Sequence, residues 1–426
     1  MKKNTAGDEP RPPARRWRLR WAQRAAGLTA AAVALTALYW TARVAASDWV
    51  FLEWNAQAIR RAVRLAPGNA EYYSGWAEIE PDRAVTALET AVALNPASSL
   101  LRIELGQAAE EKGDYAKAEA SLLRAVAMNN NFAPRWVLSD FYFHRRDAER
   151  FWPAVKAALA TSYDDVSPLL QNCWALSSDP RTILEKAIPD RVDVLRQYLV
   201  YLLGERRMEA AAPVAAKVLA QPDKEAAGAL LTYCNRLLEA GRGGPAVAVW
   251  NGLSKQGLVP YPAASVEAGK LTNGEFGMPS IGACFDWRFS SPDGVDIGRV
   301  GNPPVVYIRL SGNQAQSLDL LSQYVPLLPE RDYELSVRYR ATGMQEESGL
   351  MCRLVQPGGE DLLKETGLLP GGDQVERDRV FHFRTPADTT LAHLVLGYRR
   401  MQGTVRTEGS VMLRGMELSL RPKGGR

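Results

Sequence analysis

Two runs in the C-terminal third of the chain place cationic side chains at alternate positions. In "DYELSVRYRAT", Arg338 and Arg340 alternate with apolar residues, and in "VFHFRT" His382 and Arg384 do the same. Successive side chains of a β-strand point to opposite faces of the sheet, so we expect the four cations to point away from the core. Guanidinium groups gathered on one sheet can form forked hydrogen bonds to carboxylates or hydroxyls. These four residues are therefore candidates for a ligand-binding surface.

The sequence contains none of the common signatures of hydrolytic or phosphoryl-transfer enzymes. There is no GxSxG, HExxH or GxxxxGK[ST] motif. His144, His382 and His393 are divided between the two predicted domains, and their spacing does not predict an acid–base pair. The run "GRGGPA" at 241–246 follows a helical pattern and contains Pro245, unlike a dinucleotide-binding turn. We expect a non-enzymatic protein without a cofactor. A glycosidase-like enzyme is the distant alternative, because the separation of two carboxylates is a three-dimensional property.

The candidate cations belong to a region that reads as all-β. After Leu258 the sequence consists of short alternating runs separated by Pro and Gly turns, and Gly415 shifts the apolar phase of the last run, as a β-bulge does. Six to nine such strands over about 155 residues suit a β-sandwich. The sequence therefore predicts an all-β sandwich over residues 258–426.

The same region resembles the jelly-roll carbohydrate-binding modules related to galactose-binding domains. The resemblance rests on "LTNGEF", "FDWRF", "VVYIRLSG", "SQYVPLLPERDYELSVRYRA" and the closing strand, and covers roughly residues 270–422. It implies a glycan ligand, held by polar groups and by an aromatic face that stacks on a sugar ring. The candidates for this site are Trp287, Arg338, Arg340, His382, Arg384, His393 and Arg399.

Trp287 has two readings. It alternates with Phe285 and Phe289, and large aromatic residues are mostly found in interiors. It is therefore either a core anchor or a sugar platform. The polar residues on the opposite face likewise either bind glycan or simply face solvent, which would leave the sandwich as a second protein-binding surface.

The resemblance also raises the question of a structural calcium ion. In those modules an acidic residue after the first Asn-Gly and acidic residues in the last strand commonly hold calcium. Asn273 and Glu275 match the first part, but the last strand has Leu413, Arg414 and Gly415 where carboxylates are expected. We therefore expect no metal site, and Asn273 and Glu275 are the residues that would carry one.

The N-terminal half repeats itself. "AVRLAP" at 62–67, "AVALNP" at 91–96 and "AVAMNN" at 125–130 recur at a spacing typical of stacked helical hairpins. The segment "LLRIELGQAAEEKGDYAKAEASLLRAVAMNNN" reads as two amphipathic helices around a turn at Gly113. It resembles the tetratricopeptide repeat. The matching positions are Leu105, Gly106, Gly113, Tyr115, Ala118, Leu122 and Ala125.

The repeat resemblance implies a groove lined by the first helix of each hairpin. The family's groove positions carry over to Glu71, Ser74, Glu78, Ile103, Gln107, Glu110, Val137, Phe141 and His144. An acidic, partly apolar groove of this kind implies a basic or amphipathic protein segment as partner. The alternative is that these residues are solvated helix faces. Nucleic acid is not expected, because the basic excess lies in the N-terminal tail and not on the folded part.

The N-terminus predicts a membrane anchor. Residues 1–24 carry eight Lys/Arg and two acidic residues, and residues 25–42 carry no charge. Since positive charge stays on the cytoplasmic side, we expect a single-pass inner-membrane protein with its later domains periplasmic or otherwise extracytoplasmic. A signal cleaved near "VAAS" at 44–47, a twin-arginine signal at "RRWRL" and an Ala-rich soluble helix are the alternatives. Only a second-helix pattern precedes Pro67, so the anchor occupies the place of its partner helix.

The four cysteines, Cys173, Cys234, Cys284 and Cys352, show no metal-ligand spacing. Cys352 shares one strand face with Leu350 and Leu354, which predicts a buried free thiol. A bridge between Cys284 and Cys352 is the alternative, because an exported protein can form disulfides.

Together these features predict a multidomain protein in which an all-α tetratricopeptide-like solenoid precedes an all-β jelly-roll sandwich. The expected segments are a basic cytoplasmic tail at 1–24, a transmembrane signal anchor at 25–46, helical repeats at 47–257 and the sandwich at 258–426. This combination resembles accessory proteins of bacterial exopolysaccharide or surface-protein export systems. The expected partners are a protein in the groove and a polysaccharide on the sandwich.

Overall fold

The computed structural model describes residues 14–221, 223–264, 269–357, 362–372 and 375–421, with the backbone alone for residues 14–20 and 22. Residues 1–13 of the predicted basic tail lie outside this description. The described chain divides into two compact units. One contains the described residues up to 164 together with 171–178, and the other contains 165–170 together with the described residues from 179 onward. The second unit therefore contains helices as well as the β-sandwich.

Fourteen α-helices occupy the described residues up to Lys255. They are α1 (Ala14–Phe51), α2 (Ala56–Leu65), α3 (Ala70–Ile79), α4 (Ala84–Leu94), α5 (Ser99–Glu111), α6 (Tyr115–Met128), α7 (Phe132–His144), α8 (Ala148–Ala160), α9 (Ser167–Leu176), α10 (Pro180–Lys186), α11 (Val192–Gly204), α12 (Met208–Leu219), α13 (Ala227–Glu239) and α14 (Gly243–Lys255).

Helix α1 contains the candidate membrane span. Gln23–Phe51 is long and apolar enough to cross a bilayer, with a mean hydropathy of 1.4 over its best window, and no part of that window is buried. At ~1.5 Å per residue the span exceeds the ~30 Å hydrocarbon core of a bilayer by roughly two and a half turns. The C-terminal turns of α1 can therefore take part in the folded domain that follows.

Those last turns pack on the first repeat. The Arg43 guanidinium donates hydrogen bonds to the backbone carbonyls of Leu65 and Arg64 at the end of α2. The buried Ser47 hydroxyl lies 2.8 Å from the phenol of Tyr72, and that phenol donates to the Asp48 carboxylate. The sequence prediction that α1 fills the place of the missing partner helix agrees with these contacts.

The repeat register predicted from sequence is visible in the packing of α5 on α6. Ala118, Leu122 and Ala125 have no exposed surface. A Cβ on Gly106 would lie 2.6 Å from Leu122 Cγ, so only glycine allows the two helices to approach this closely. Gly113 makes the connecting turn with φ of +79°, a backbone conformation that other residues rarely adopt.

Ten strands follow the helices in the described chain. They are β1 (Arg288–Phe289), β2 (Val295–Val300), β3 (Val305–Ser311), β4 (Ser317–Pro326), β5 (Asp332–Thr342), β6 (Glu347–Val355), β7 (Leu362–Pro370), β8 (Glu376–Arg384), β9 (Leu391–Arg399) and β10 (Glu408–Leu420).

The strands form two antiparallel five-stranded sheets, as the sequence predicted for a sandwich. Their orders are β1-β4-β9-β6-β7 and β2-β3-β10-β5-β8, here called sheet A and sheet B. One core cluster draws its buried side chains from both sheets. The register between β10 and β5 shifts between Leu413 and Gly415, which confirms the predicted bulge.

All four cysteines are buried, and none is bridged in this structure. Cys352 lies in the sandwich core cluster, as its strand pattern predicted. Cys284 instead lies against α13, where its thiol donates to the backbone carbonyl of Leu231 over 3.5 Å. The alternative of a bridge between Cys284 and Cys352 is therefore wrong for this fold, because Cys284 lies on the loop that contacts α13.

Candidate functional site

The predicted groove residues lie on α3, α5 and α7, the first helices of three consecutive hairpins. Contacts join each of these helices to the next. The Ser74 hydroxyl donates to Glu104 over 2.5 Å, linking α3 to α5. Between α5 and α7, Nδ1 of His144 lies 3.0 Å from the Glu110 carboxylate. The polar face is therefore continuous along the repeats.

A cavity of about 400 Å³ opens on this face between α3, α4 and α5. The polar side chains that line it are acidic or neutral, and most of the apolar side chains that line it are alanines. The lining residues are Ser74, Ala77, Glu78, Pro81, Ala84, Leu88, Glu104, Gln107, Ala108 and Glu111. None of these ten residues is basic, and three of them, Glu78, Glu104 and Glu111, carry carboxylates.

The structure places the nine predicted groove residues unequally. Glu71, Glu78, Gln107 and His144 are exposed, and Ser74, Glu110 and Val137 are partly exposed. Ile103 and Phe141 are instead buried, with exposed fractions of 8% and 3%. These two side chains therefore do not supply the apolar part of the groove, because they pack into the helical layer.

Sequence reasoning missed Glu104 and Glu111, which line the cavity beside Gln107 and Ala108. The signal was present, because positions 104, 107, 108 and 111 follow the i, i+3, i+4, i+7 pattern of one helix face. The repeat register had instead indicated positions 103, 107 and 110, so two of the three predicted positions are each one residue before a position that lines the cavity. Small apolar residues, chiefly Ala77 and Ala108, form the apolar lining in place of Ile103 and Phe141.

The four candidate cations of the sandwich lie on the outward face of sheet B. Arg338 and Arg340 are on β5 and alternate with buried residues, as predicted. His382 and Arg384 are on the neighbouring strand β8. Their cross-strand partners are Asp378 for Arg338, Glu376 for Arg340, Glu334 for His382 and Asp332 for Arg384.

Carboxylates accompany these cations. Arg384 lies 3.5 Å from Asp332, and His382 lies 3.6 Å from Glu334. Arg338 lies 3.3 Å from Glu275. In the register of β5, Arg384 stands opposite position 332, six residues from Arg338, which is roughly 20 Å along a strand. The face is therefore a mixed-charge surface on which the cations do not meet at one point.

Trp287 lies in the core. Its side chain has no exposed surface, and its indole N–H donates to the backbone carbonyl of Asn273 over 3.0 Å. Its ring packs against Phe276 with the ring centroids 5.4 Å apart. Of the two readings offered by the sequence, the core anchor is the one that the structure supports, and no face of the indole is open to a sugar.

The residues considered for calcium are engaged elsewhere. The Asn273 side chain pairs with the backbone N–H and carbonyl of Met278, and Glu275 pairs with Arg338. Within the described ranges, no group of three or more His, Cys, Asp or Glu side chains is arranged to hold a metal ion.

His393 and Arg399 lie on β9 of sheet A, apart from the other candidates. The His393 ring stacks on Tyr324 at 4.3 Å, and the Arg288 guanidinium lies over the same Tyr324 ring at 4.9 Å. Burial, together with the nearby Arg288 charge, lowers the pKa of His393 to about 4. The imidazole is therefore neutral at physiological pH and forms part of a packed layer.

Comparison with known proteins supports the repeat assignment. Residues 76–138 match the tetratricopeptide repeat family model, so the chain contains tetratricopeptide repeats. The structure of YrrB, a TPR protein with an unusual peptide-binding site, is 17% identical and covers 47% of this chain and 93% of its own, with a TM-score of 0.23. PilF of Pseudomonas aeruginosa is 15% identical and covers 51% and 91%, with a TM-score of 0.24.

The sandwich also has solved neighbours. A CBM4 structure is 12% identical and covers 35% of this chain and 99% of its own, with a TM-score of 0.29. These likenesses concern the fold alone. No curated protein matches the chain.

Proposed function

We propose that this protein is a non-enzymatic, membrane-anchored scaffold of the bacterial cell envelope that binds a basic protein segment along its tetratricopeptide repeats. The observation that carries the proposal is the acidic cavity between α3, α4 and α5, which contains no basic side chain in its lining. The family match over residues 76–138 supports a role in protein–protein interaction. If the purified chain cleaved a released polysaccharide, the proposal that the protein is not an enzyme would be wrong.

The chemistry of the cavity selects its ligand. Glu78, Glu104 and Glu111 offer carboxylates at the rim, and Ala77 and Ala108 offer small apolar surface beside them. Lys and Arg side chains match such a site, because their aliphatic stems cover apolar surface while their charged ends reach carboxylates. An amphipathic segment with basic residues at helical or extended spacing is therefore the expected partner.

Charge reversal in the cavity is expected to weaken this binding. The probe is a synthetic fluorescent peptide of alternating Lys and Leu residues, titrated by anisotropy against the full chain in detergent micelles. Glu78→Lys/Glu111→Lys should bind about tenfold more weakly at low salt, since tenfold requires only about 1.4 kcal/mol and each exposed charge pair supplies ~0.2–1 kcal/mol.

The matched control is Glu149→Lys/Glu205→Lys, which makes the same change in net charge at two exposed positions outside the cavity. Equal weakening in both double variants would show that the peptide responds only to net charge. That outcome would overturn the cavity as the binding site.

The anchor is proposed to hold residues 47–426 outside the cytoplasm. Cleavage after Ala46 would remove Arg43 and its bonds to the α2 carbonyls, and would place a new charged N-terminus at the buried Ser47. These contacts support an uncleaved anchor. A periplasm-dependent reporter fused after residue 60 should be active, and activity of a cytoplasm-dependent reporter at the same position would contradict the topology.

Polysaccharide binding by the sandwich is the second candidate function. Its support is that Arg338, Arg340, His382 and Arg384 lie on one face of sheet B. Arg338 also lines a cavity of about 190 Å³, which is below the roughly 300 Å³ at which small-molecule pockets begin. An extended chain lying across the mixed-charge face fits this surface better than a ligand enclosed in a pocket.

Isothermal titration of the full chain with acidic and neutral envelope polysaccharides tests this second function. Arg338→Ala/Arg384→Ala should weaken binding about tenfold, and Arg61→Ala/Arg124→Ala, in exposed positions on the repeats, should not. Unchanged binding in the first variant would remove these arginines from the site. The absence of binding to any polysaccharide would leave the sandwich as a second protein-binding surface.

We also propose that the scaffold serves exopolysaccharide or surface-protein export, a context supported by the combination of anchor, repeats and sandwich. A deletion strain that exports polysaccharide and displays surface proteins at wild-type levels would contradict this assignment.

A further inference from the structure

Two cysteines that are distant in sequence meet within the second compact unit. Cys234 lies on α13, and Cys284 lies on the loop that leads into β1. Both residues have an exposed fraction of 0%. The Cys234 thiol donates to the backbone carbonyl of Ala246 over 3.6 Å. Cys284 Sγ also lies 3.5 Å from the Leu231 carbonyl, one turn before Cys234 on the same helix.

Backbone and side-chain hydrogen bonds hold the Cys284 loop against α13. The Cys284 N–H donates to Asn235 Oδ1 over 2.7 Å, and the Arg288 guanidinium donates to the same oxygen over 2.8 Å. Asn235 is adjacent to Cys234 in sequence, so one side chain of α13 fixes the loop at two points. The backbone of Cys284 thus stays beside Cys234, as a disulfide requires of its two residues.

We propose that Cys234 and Cys284 form a disulfide bond that joins the last helical hairpin to the sandwich. In this step the two thiols lose two protons and two electrons, and one S–S bond forms. The oxidant is a disulfide, such as glutathione disulfide or an oxidised dithiol protein, which is reduced to two thiols. Its supply in the cell rests on the proposed extracytoplasmic location, whereas the choice of partners rests on the fold alone.

The other two cysteines are separate. Cys173 belongs to the first compact unit, and Cys352 lies in the sandwich core. Burial raises the pKa of each of these two thiols to about 12, which makes them unreactive. Burial also raises the pKa of Cys284, with the Cys234 contact as a further cause. The bond is therefore expected to form as the unit folds, before the two thiols are closed off from solvent.

Refolding with a defined oxidant tests the pairing. The full chain is reduced, unfolded, and refolded in detergent with a mixture of reduced and oxidised glutathione, then denatured and labelled with a maleimide. Two of the four thiols should be lost, and peptide mapping should find one bridge, between Cys234 and Cys284. The closed loop of about 50 residues should raise the unfolding midpoint of this unit by ~5–15 °C over the reduced chain.

Two variants decide between pairings. Cys173→Ser/Cys352→Ser should still form the bridge, and Cys234→Ser should retain three free thiols. Four free thiols in the refolded wild type, or a bridge between other cysteines, would overturn the proposal.

A second measurement avoids refolding altogether. Thiols are counted on chain extracted from cells under acid quench. Two free thiols support the bridge. Four free thiols in the extracted chain, together with a bridge in the refolded chain, would contradict the proposed extracytoplasmic location but not the pairing of Cys234 with Cys284. Four free thiols in both measurements would overturn the pairing itself.

Discussion

Replacing Trp287 with alanine is expected to lower the free energy of unfolding of the sandwich by about 3–5 kcal/mol, the usual effect of removing a buried tryptophan. The side chain has no exposed surface and packs in the cluster shared by both sheets. The substitution also leaves the Asn273 carbonyl without its indole donor. Chemical denaturation of the full chain, followed by tryptophan fluorescence and circular dichroism, measures the change.

Phe289→Ala is the matched control for this experiment. Phe289 lies two residues further along the same run, on β1, and is 36% exposed. Phe289→Ala should therefore lower the free energy of unfolding much less than Trp287→Ala does. If Trp287→Ala unfolded like the wild type but no longer bound polysaccharide, Trp287 would be a sugar platform and its buried position would be wrong.

Introducing a leucine at Gly106 is expected to destabilise the repeats by ~1–3 kcal/mol, the usual range for overpacking. The first carbon of the new side chain would lie 2.6 Å from Leu122 Cγ and 3.3 Å from the Ala118 carbonyl, and helix backbone cannot give way cheaply. Ala118→Leu should act in the same direction, because Ala118 has no exposed surface. Thermal unfolding followed at 222 nm reports the effect.

Gly228→Leu provides the comparison. Gly228 is also helical, but it is exposed and has no neighbouring atom within 4 Å of an added Cβ. Since leucine favours a helix more than glycine does, this variant should be as stable as the wild type or slightly more stable. If Gly106→Leu unfolded at the same temperature as the wild type, the register of the repeats would be wrong. The assignment of the groove residues, which depends on that register, would then be wrong as well.

These stability predictions bear on the proposed function, because α5 carries Gly106 on its packed side and Glu104, Gln107 and Glu111 on the cavity side. A shift of α5 against α6 would move three lining residues together. Loss of peptide binding in Gly106→Leu would thus follow from altered packing, whereas Glu78→Lys/Glu111→Lys changes charge at exposed positions. Comparing the melting curves of the two variants separates the two causes.

The sequence by itself determined the class of each half and the faces of its elements. Small residues at Gly106 and Ala118 indicated where helices cross, and the phase shift at Gly415 indicated the bulge. Alternation around Arg338 and Arg340 predicted which side chains point away from the core. These features depend on local periodicity, which is set by the 3.6-residue turn of a helix and the two-residue repeat of a strand.

Only the tertiary structure decided what each face meets. Alternation could not distinguish a buried Trp287 from an exposed one, and the repeat register could not show that Ile103 and Phe141 are covered. The carboxylates beside the sandwich cations come from other strands or from the loop before β1. Cys284 contacts Leu231 and Asn235 of α13 across about 50 residues of chain. Such contacts join residues that are far apart in sequence, so their partners follow from how the elements pack and not from the pattern within any one of them.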